Sequence, residues 1–380
     1  MSTRLLVLAI VPLLLAACFS DVRDEPAPKP TGLLPPTASG QLEPTPTEAA
    51  TSSASKPVPA STPSGVASPA NTPDGTTGLR FGNAGAPRYD GACLAGETSV
   101  LPPASPLRFQ QPAPVTEFPE PFAPSPFTRD EDLQRMLDEV VGDKAGSYAF
   151  YVKDVATGRG AVHNGDRVFN AASLFKLLVM YAVFHQESLG LIDWDDDLVV
   201  TPYYDAFALS PRVTKRCQVL TVGEAMDAML SVSDNAAAVL LQDLAGSGNV
   251  NAAIEALGLK DSGLFEDGLP VTADDLALLM EAIAAGEAIS RGASADMVRL
   301  LDHDVFENGL VAGVPEGTVV ARKTGNWADA THVAGIVYAP FGPYVFVVLT
   351  SNGYETSIIE ALSRTVYAYF EAAFGQRTPP

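Results

Sequence analysis

Cysteine is scarce: Cys18, Cys93 and Cys217 are the only three in 380 residues. So sparse a set excludes a small fold built on disulfides. The four histidines, His163, His185, His303 and His332, lie far apart, so no Cys/His cluster has metal-ligand spacing and no metal or cofactor is expected. Basic residues are also few, 24 against 45 acidic ones. A chain of that charge repels phosphates, which excludes nucleic acid as a partner and disfavours lying flat on an anionic membrane.

The leading apolar run, Leu5 to Leu15, is too short to span a bilayer comfortably. It ends in Leu15-Ala16-Ala17-Cys18, which resembles a bacterial lipobox. That resemblance implies an 18-residue export signal with lipidation at Cys18, and an exported protein held at the cell membrane, facing the envelope or the exterior. An uncleaved anchor or ordinary secretion is the alternative. Residues 19–127 hold 22 of the 31 prolines, with many Ser, Thr, Ala and Gly. Such a composition buries too little apolar surface to offset its ordering entropy, so a stalk and extended segment is expected. From Leu79 on, rings appear (Phe81, Tyr89, Phe109, Phe118, Phe122 and Phe127), which suits a stretch laid along a folded surface. With Cys18 lipidated, Cys93 and Cys217 remain. In an oxidising compartment they suit a disulfide strapping the extension to the fold, with two free thiols as the alternative.

The remaining residues, 128–380, are long enough for one large core. Between Thr128 and Gly375 there are 35 acidic and 16 basic residues, a surface suited to a soluble monomer. Leu133, Met136, Leu137 and Val140 predict a helix over Asp130–Val141. Alternation predicts strands at Ser147–Asp154 and Gly160–Asn164. A helical block follows, over Val222–Leu230, Ala236–Leu244, Val250–Ala256, Ala273–Ala285 and Ala293–Leu301, with Thr221 and Glu224 placed as a capping box. Strands return at Val319–Lys323, Val333–Tyr338 and Tyr344–Thr350, and a helix from Ser357 to Phe374 closes the chain. Two strands before the block and three after it predict an α+β fold: one antiparallel five-stranded sheet flanked by helices, with the helical block inserted.

Phe169 to about His185 reads as a helix apolar on nearly every side, which belongs in the middle of a domain. Yet Ser173 and Lys176 share one face of its first turn. A desolvated lysine with a lowered pKa can take the proton of a neighbouring serine and make it a nucleophile. The pair alone reads more readily as a serine near a helix start and a lysine snorkelling to the surface. Two further triplets decide between these readings: Ser233-Asp234-Asn235, where one helix ends and another begins, and Lys323-Thr324-Gly325, at the end of a strand.

In this order, S-x-x-K, S-D-N and K-T-G resemble the penicillin-recognising serine enzymes, specifically the class A β-lactamase family. The likeness covers about residues 129–375 and implies a β-lactamase/transpeptidase-like fold. It implies Ser173 as the nucleophile, Lys176 as its base or relay, and Ser233 as the donor to the leaving nitrogen. Asn235 would position Lys176 and the substrate amide, Lys323 supply positive charge, and Thr324 bond the substrate carboxylate. The N–H groups of Ser173 and Asn326 would form the oxyanion hole. Asp234 is expected to hold the turn. The family's active members carry a glutamate on a long loop between the second and third motifs, where it activates the deacylating water. Here the stretch Gly258–Leu276 looks roughly a dozen residues short for that motif, and Glu266 is the one nearby glutamate. The implied function is an acyl-enzyme serine hydrolase acting on a β-lactam or a cell-wall peptide, with weak deacylation. A peptidase of D-Ala-D-Ala ends, or a cell-wall-binding lipoprotein with a residual site, are the alternatives.

Overall fold

The computed structural model describes Cys93 and residues 112–209, 212–306, 309–328, 330–351, 353 and 355–375. The expected signal, lipobox and stalk fall outside these residues, as do Phe81, Tyr89 and Phe109. None of the helices in the described residues is long and apolar enough to cross a membrane.

Strands β1 (Thr128–Arg129), β2 (Tyr148–Asp154), β3 (Arg159–His163), β8 (Val319–Trp327), β9 (Ala330–Ala339) and β10 (Gly342–Thr350) form one sheet, in the order β1-β3-β2-β10-β9-β8, while β4 (Phe169–Asn170) pairs with β7 (Pro270–Val271) and β5 (Asp197–Val199) with β6 (Val219–Thr221) apart from it. The expected five antiparallel strands are therefore six, because the two-residue β1 adds to β3 in parallel. That addition needs a close approach at Gly158, where a Cβ would meet the Pro126 carbonyl oxygen at 2.1 Å. First and last segments meet as expected, since β2 pairs with β10 from Tyr148↔Thr350 to Asp154↔Tyr344.

One face of the sheet packs on α1 (Glu131–Val141) and on the closing helix α8 (Ser357–Phe374), through Leu133, Leu137, Phe346, Val366 and Phe370. The other face carries the helical block: α3 (Val222–Ser231), α4 (Asn235–Ala245), α5 (Ser247–Leu257), α6 (Ala273–Ala285) and α7 (Arg291–Asp302). Thr221 and Glu224 close the capping box as expected. Through the middle of the block runs α2 (Phe175–Ser188), buried without interruption from Phe175 to Gln186. An all-round apolar helix fits only such a position.

From residue 112 onward regular structure begins at Thr128, but packing begins earlier. The amide of Asn249 accepts from Val115 N at 3.0 Å and donates to Ala113 O at 3.1 Å, replacing a strand partner for the incoming chain. Phe118 stacks on His185, Phe122 packs against the core, and Phe127 tilts onto Tyr151. Ser125 meets a buried ion pair, Lys153–Glu281 at 2.7 Å, donating N–H and O–H to the carboxylate. The ring-anchored segment thus crosses from the helical block to the sheet. A disulfide joins Cys93 to Cys217, strapping the extension to the fold.

Candidate active site

The approach to Ser173 is held by hydrogen bonds. Strand β4 (Phe169–Asn170) pairs with β7 (Pro270–Val271), and Ala171 donates its N–H to Leu269 O at 2.7 Å. Asn170 Oδ1 accepts from Ala172 N at 3.0 Å. Ala172 is left-handed, with φ of +47°, a conformation a residue with a Cβ adopts only when its surroundings impose it. A single 3-10 turn, Ala172–Leu174, follows before α2 begins. Ser173 therefore sits on this turn rather than within the α-helix, half-buried at the positive end of α2.

Lys176 lies one turn on, with no exposed surface. Four oxygens surround its Nζ: Ser233 O at 2.6 Å, Asn235 Oδ1 at 2.7 Å, Ser233 Oγ at 2.9 Å and Ser173 Oγ at 3.2 Å. Both carbonyl oxygens can only accept, so two N–H groups are committed to them. A neutral amine then has its lone pair left for a hydroxyl proton. Burial, with Lys323 close by as a second cation, holds the Lys176 pKa well below the usual lysine value.

Ser233 is also left-handed, with φ of +60°, in the corner between α3 and α4. Asp234 fixes that corner, as expected. Its carboxylate accepts from Ala236 N, Ala237 N, Val213 N, Thr214 N and Thr214 Oγ1. Burial pushes its pKa up, but the bonds from Thr214, Ala237 and Val213 prevail, and the net shift is downward.

The third motif lies within β8, not at its end: the strand continues past Gly325 to Trp327. Strand β8 is an edge strand, so alternate N–H groups face away from β9. Thr324 N is one of these, donating to Asp304 Oδ2 at 3.0 Å. Asn326 N, two residues on, points to the same side, where the turn carrying Ser173 packs. The contact is tight at Gly325, where a Cβ would meet Leu174 Cγ at 3.1 Å and Ala171 O at 3.2 Å. The geometry thus suits the paired N–H groups of Ser173 and Asn326 as an oxyanion hole.

Lys323 is fully buried and lies 3.6 Å from Asp304 Oδ2. Burial lowers its pKa, against the opposing pull of Asp304. Asp304 is a site residue missed from the sequence. Its signal was indirect, because a lysine on a buried strand needs an acidic partner but nothing in the sequence says which of many acids supplies it. Arg322 was missed too. It holds the Asp304 segment by donating to Asp304 O at 2.6 Å and Phe306 O at 3.0 Å. The Thr324 hydroxyl also reaches Asp304 Oδ2, at 3.2 Å.

Glu266 is not brought into the cluster. The loop before α6 is a tight hairpin, closed at Phe265–Gly268 and pinned where Asp275 accepts from Lys260 N and Asp261 N. Glu266 sits exposed on its tip. A cavity of about 730 Å3 lies elsewhere, under Pro112–Glu117 and beside Gln186, and holds none of the cluster residues. No group of His, Cys, Asp and Glu among the described residues could hold a metal ion.

Residues 131–370 match the model of a family described as the beta-lactamase enzyme family. No curated protein matches. Among solved structures, PBP-A is similar at 25% identity with a TM-score of 0.61, over 66% of this chain and all of that one. A mutant of PBP-A, solved as an acyl-enzyme complex with penicillin G, is similar at 25% identity and a TM-score of 0.61, over 65% of this chain and 99% of that one. A beta-lactamase from Sphaerobacter thermophilus is similar at 26% identity with a TM-score of 0.58, over 66% and 99% of the two chains. A reconstructed ancestral class A beta-lactamase, at 23% identity and a TM-score of 0.58 over 63% and 100%, shares the fold.

Proposed function

The chain belongs to the beta-lactamase enzyme family and is a serine hydrolase of the β-lactamase type; from this premise we propose that Ser173 is acylated by β-lactams and that the acyl group leaves slowly. We further propose an exported protein, lipidated at Cys18 and carried on its proline-rich stalk clear of the membrane. The support for these last points is the sequence of the leading segment and the acidity of the domain.

The observation that carries the reading is the oxygen cage around Lys176 Nζ, with Ser173 Oγ at 3.2 Å and Ser233 Oγ at 2.9 Å. Neutral Lys176 takes the Ser173 proton as Oγ attacks the amide carbonyl carbon. The developing oxyanion is met by the N–H groups of Ser173 and Asn326, with the N-terminus of α2 behind them. As the C–N bond breaks, the proton passes from Lys176 through Ser233 to the leaving nitrogen. Lys176 is then neutral again and an ester remains on Ser173. Release requires an activated water, and the exposed Glu266 stands outside the cluster. A general base contributes about 10²–10⁴-fold, so without one the ester persists.

A second reading, a peptidase of D-Ala-D-Ala ends inhibited by β-lactams, is favoured by the short hairpin in place of a long loop and by the similarity to PBP-A. Fluorescent penicillin and a chromogenic cephalosporin test both readings. Covalent labelling with slow cephalosporin turnover supports the first; labelling with release of D-Ala from a peptide and no cephalosporin turnover moves the function to the second. A full-length protein that is not labelled overturns both.

A further inference from the structure

One buried histidine spans the sheet and the nucleophile's turn. His332, on β9, is 1% exposed. Thr350 N donates to its Nδ1 at 3.1 Å, and its Nε2 lies 2.8 Å from Asn170 O. A backbone N–H only donates, so Nδ1 is the acceptor and Nε2 carries the proton, which it gives to the Asn170 carbonyl. The ring meets Phe169 edge-on, 6.1 Å between centroids, which fixes its orientation.

Asn170 is three residues ahead of Ser173, and both of its polar ends are in use. Its carbonyl is held by His332, while its side-chain oxygen caps Ala172 N at 3.0 Å. Ala172 is the residue in the left-handed conformation. A conformation of that kind relaxes unless it is held from both sides, and relaxation at Ala172 turns the peptide that carries Ser173. Gly325, on the neighbouring strand, also packs against this turn and against His332 Cβ, at 3.3 Å from where its own Cβ would lie.

We propose that His332 is a positioning residue for the reaction. Its Nε2–H, bonded to the Asn170 carbonyl, holds the strained turn that aims Ser173 Oγ at Lys176 and at the oxyanion donors. It touches neither substrate nor reacting atoms. The proposal rests on the acyl-enzyme reading above.

The two nitrogens can be tested separately in the full chain. In His332→Asn the side-chain oxygen replaces Nδ1 as acceptor for Thr350 N, but nothing reaches Asn170. In His332→Gln the amide nitrogen replaces Nε2 as donor to Asn170, while the acceptor for Thr350 N is lost. Each variant loses one buried hydrogen bond, so a purely structural role lowers the melting temperature of both and separates their rates no further than their stabilities. Acylation is followed with fluorescent penicillin and, in parallel, with a fluorophosphonate, which reports serine nucleophilicity without β-lactam recognition. We expect His332→Asn to acylate roughly 10–100-fold more slowly than wild type, the size of effect a misplaced reacting group produces. His332→Gln should recover at least about tenfold of that loss. Equal rates in the two variants, or a faster His332→Asn, overturn the positioning role, as does a rate that follows melting temperature alone. Wild-type protein labelled by the fluorophosphonate but not by penicillin defeats the β-lactam reading and leaves the comparison of the variants intact. Labelling by neither probe defeats the nucleophile assignment, and the proposal with it.

Discussion

Replacing Asp234 by alanine separates holding the corner from doing chemistry. The carboxylate accepts five hydrogen bonds in an environment with no exposed surface. Loss of the N-cap of α4 costs about 1 kcal/mol. Val213 N, Thr214 N and Thr214 Oγ1 are left without that acceptor, at about 1 kcal/mol each. The total is about 4 kcal/mol, and at about 2–4 °C per kcal/mol for a domain of this size the melting temperature falls by about 8–16 °C. Differential scanning calorimetry measures this directly. Acylation should fall as well, because Ser233 and Asn235 flank the lost anchor. Asp234→Asn should lie between, since its amide keeps one acceptor but turns a donor toward Val213 and Thr214. The pH dependence has a definite sign. The Asp234 pKa is lowered in the folded protein, so its stabilisation is present above the ordinary carboxylate value and lost as pH falls through the folded one. A melting temperature of Asp234→Ala within about 3 °C of wild type would refute the reasoning from hydrogen bonds. Lost acylation at full stability would assign Asp234 a chemical role.

Lys176→Met should slow acylation by about 10²–10⁴-fold. In the wild type, acylation should decline as pH falls through the Lys176 pKa, on an acid limb well below 10.5, the usual lysine value; a limb at that usual value would contradict a desolvated base. Glu266→Gln should leave the lifetime of the acyl-enzyme unchanged in stopped-flow and mass measurements, and a marked lengthening would show that the hairpin tip reaches the ester. Cys217→Ser should destabilise by roughly 2–4 kcal/mol, since it opens a loop closed over 124 residues; chemical denaturation beside non-reducing peptide mapping checks this, and two free thiols in the native protein would dismiss the bond.

What was legible in the sequence follows from what leaves a periodic or local trace. The helices over Ala273–Ala285 and Ser357–Phe374 span the residues that apolar spacing marks out. Ser173, Lys176, Ser233 and Asn235 declare themselves by motif, and the structure brings the other three within hydrogen-bond reach of the Lys176 nitrogen. The sixth strand was not legible, because two residues added in parallel to β3 make no alternation. Asp304 was not legible either. It meets Thr324 across 20 residues of chain, a pairing set by tertiary packing alone. The 3-10 turn at Ser173 is likewise a tertiary effect, since β7, Asn170 and Gly325 impose the left-handed Ala172 that the local sequence does not favour. His332 lies just ahead of the strand expected from Val333, and nothing local marks it as a bridge, because the backbone atoms that its ring nitrogens meet at Thr350 and Asn170 lie on other elements.

The central claim is a covalent ester at Ser173 that forms readily and leaves slowly. Intact-mass spectrometry of the full-length protein mixed with penicillin G, sampled over time and followed by peptide mapping, tests it most directly. The account predicts one adduct per chain, located on Ser173, outlasting removal of free drug and absent from Ser173→Ala. Hydrolysis of penicillin by Ser173→Ala at the wild-type rate, or an adduct on any other residue, would contradict it.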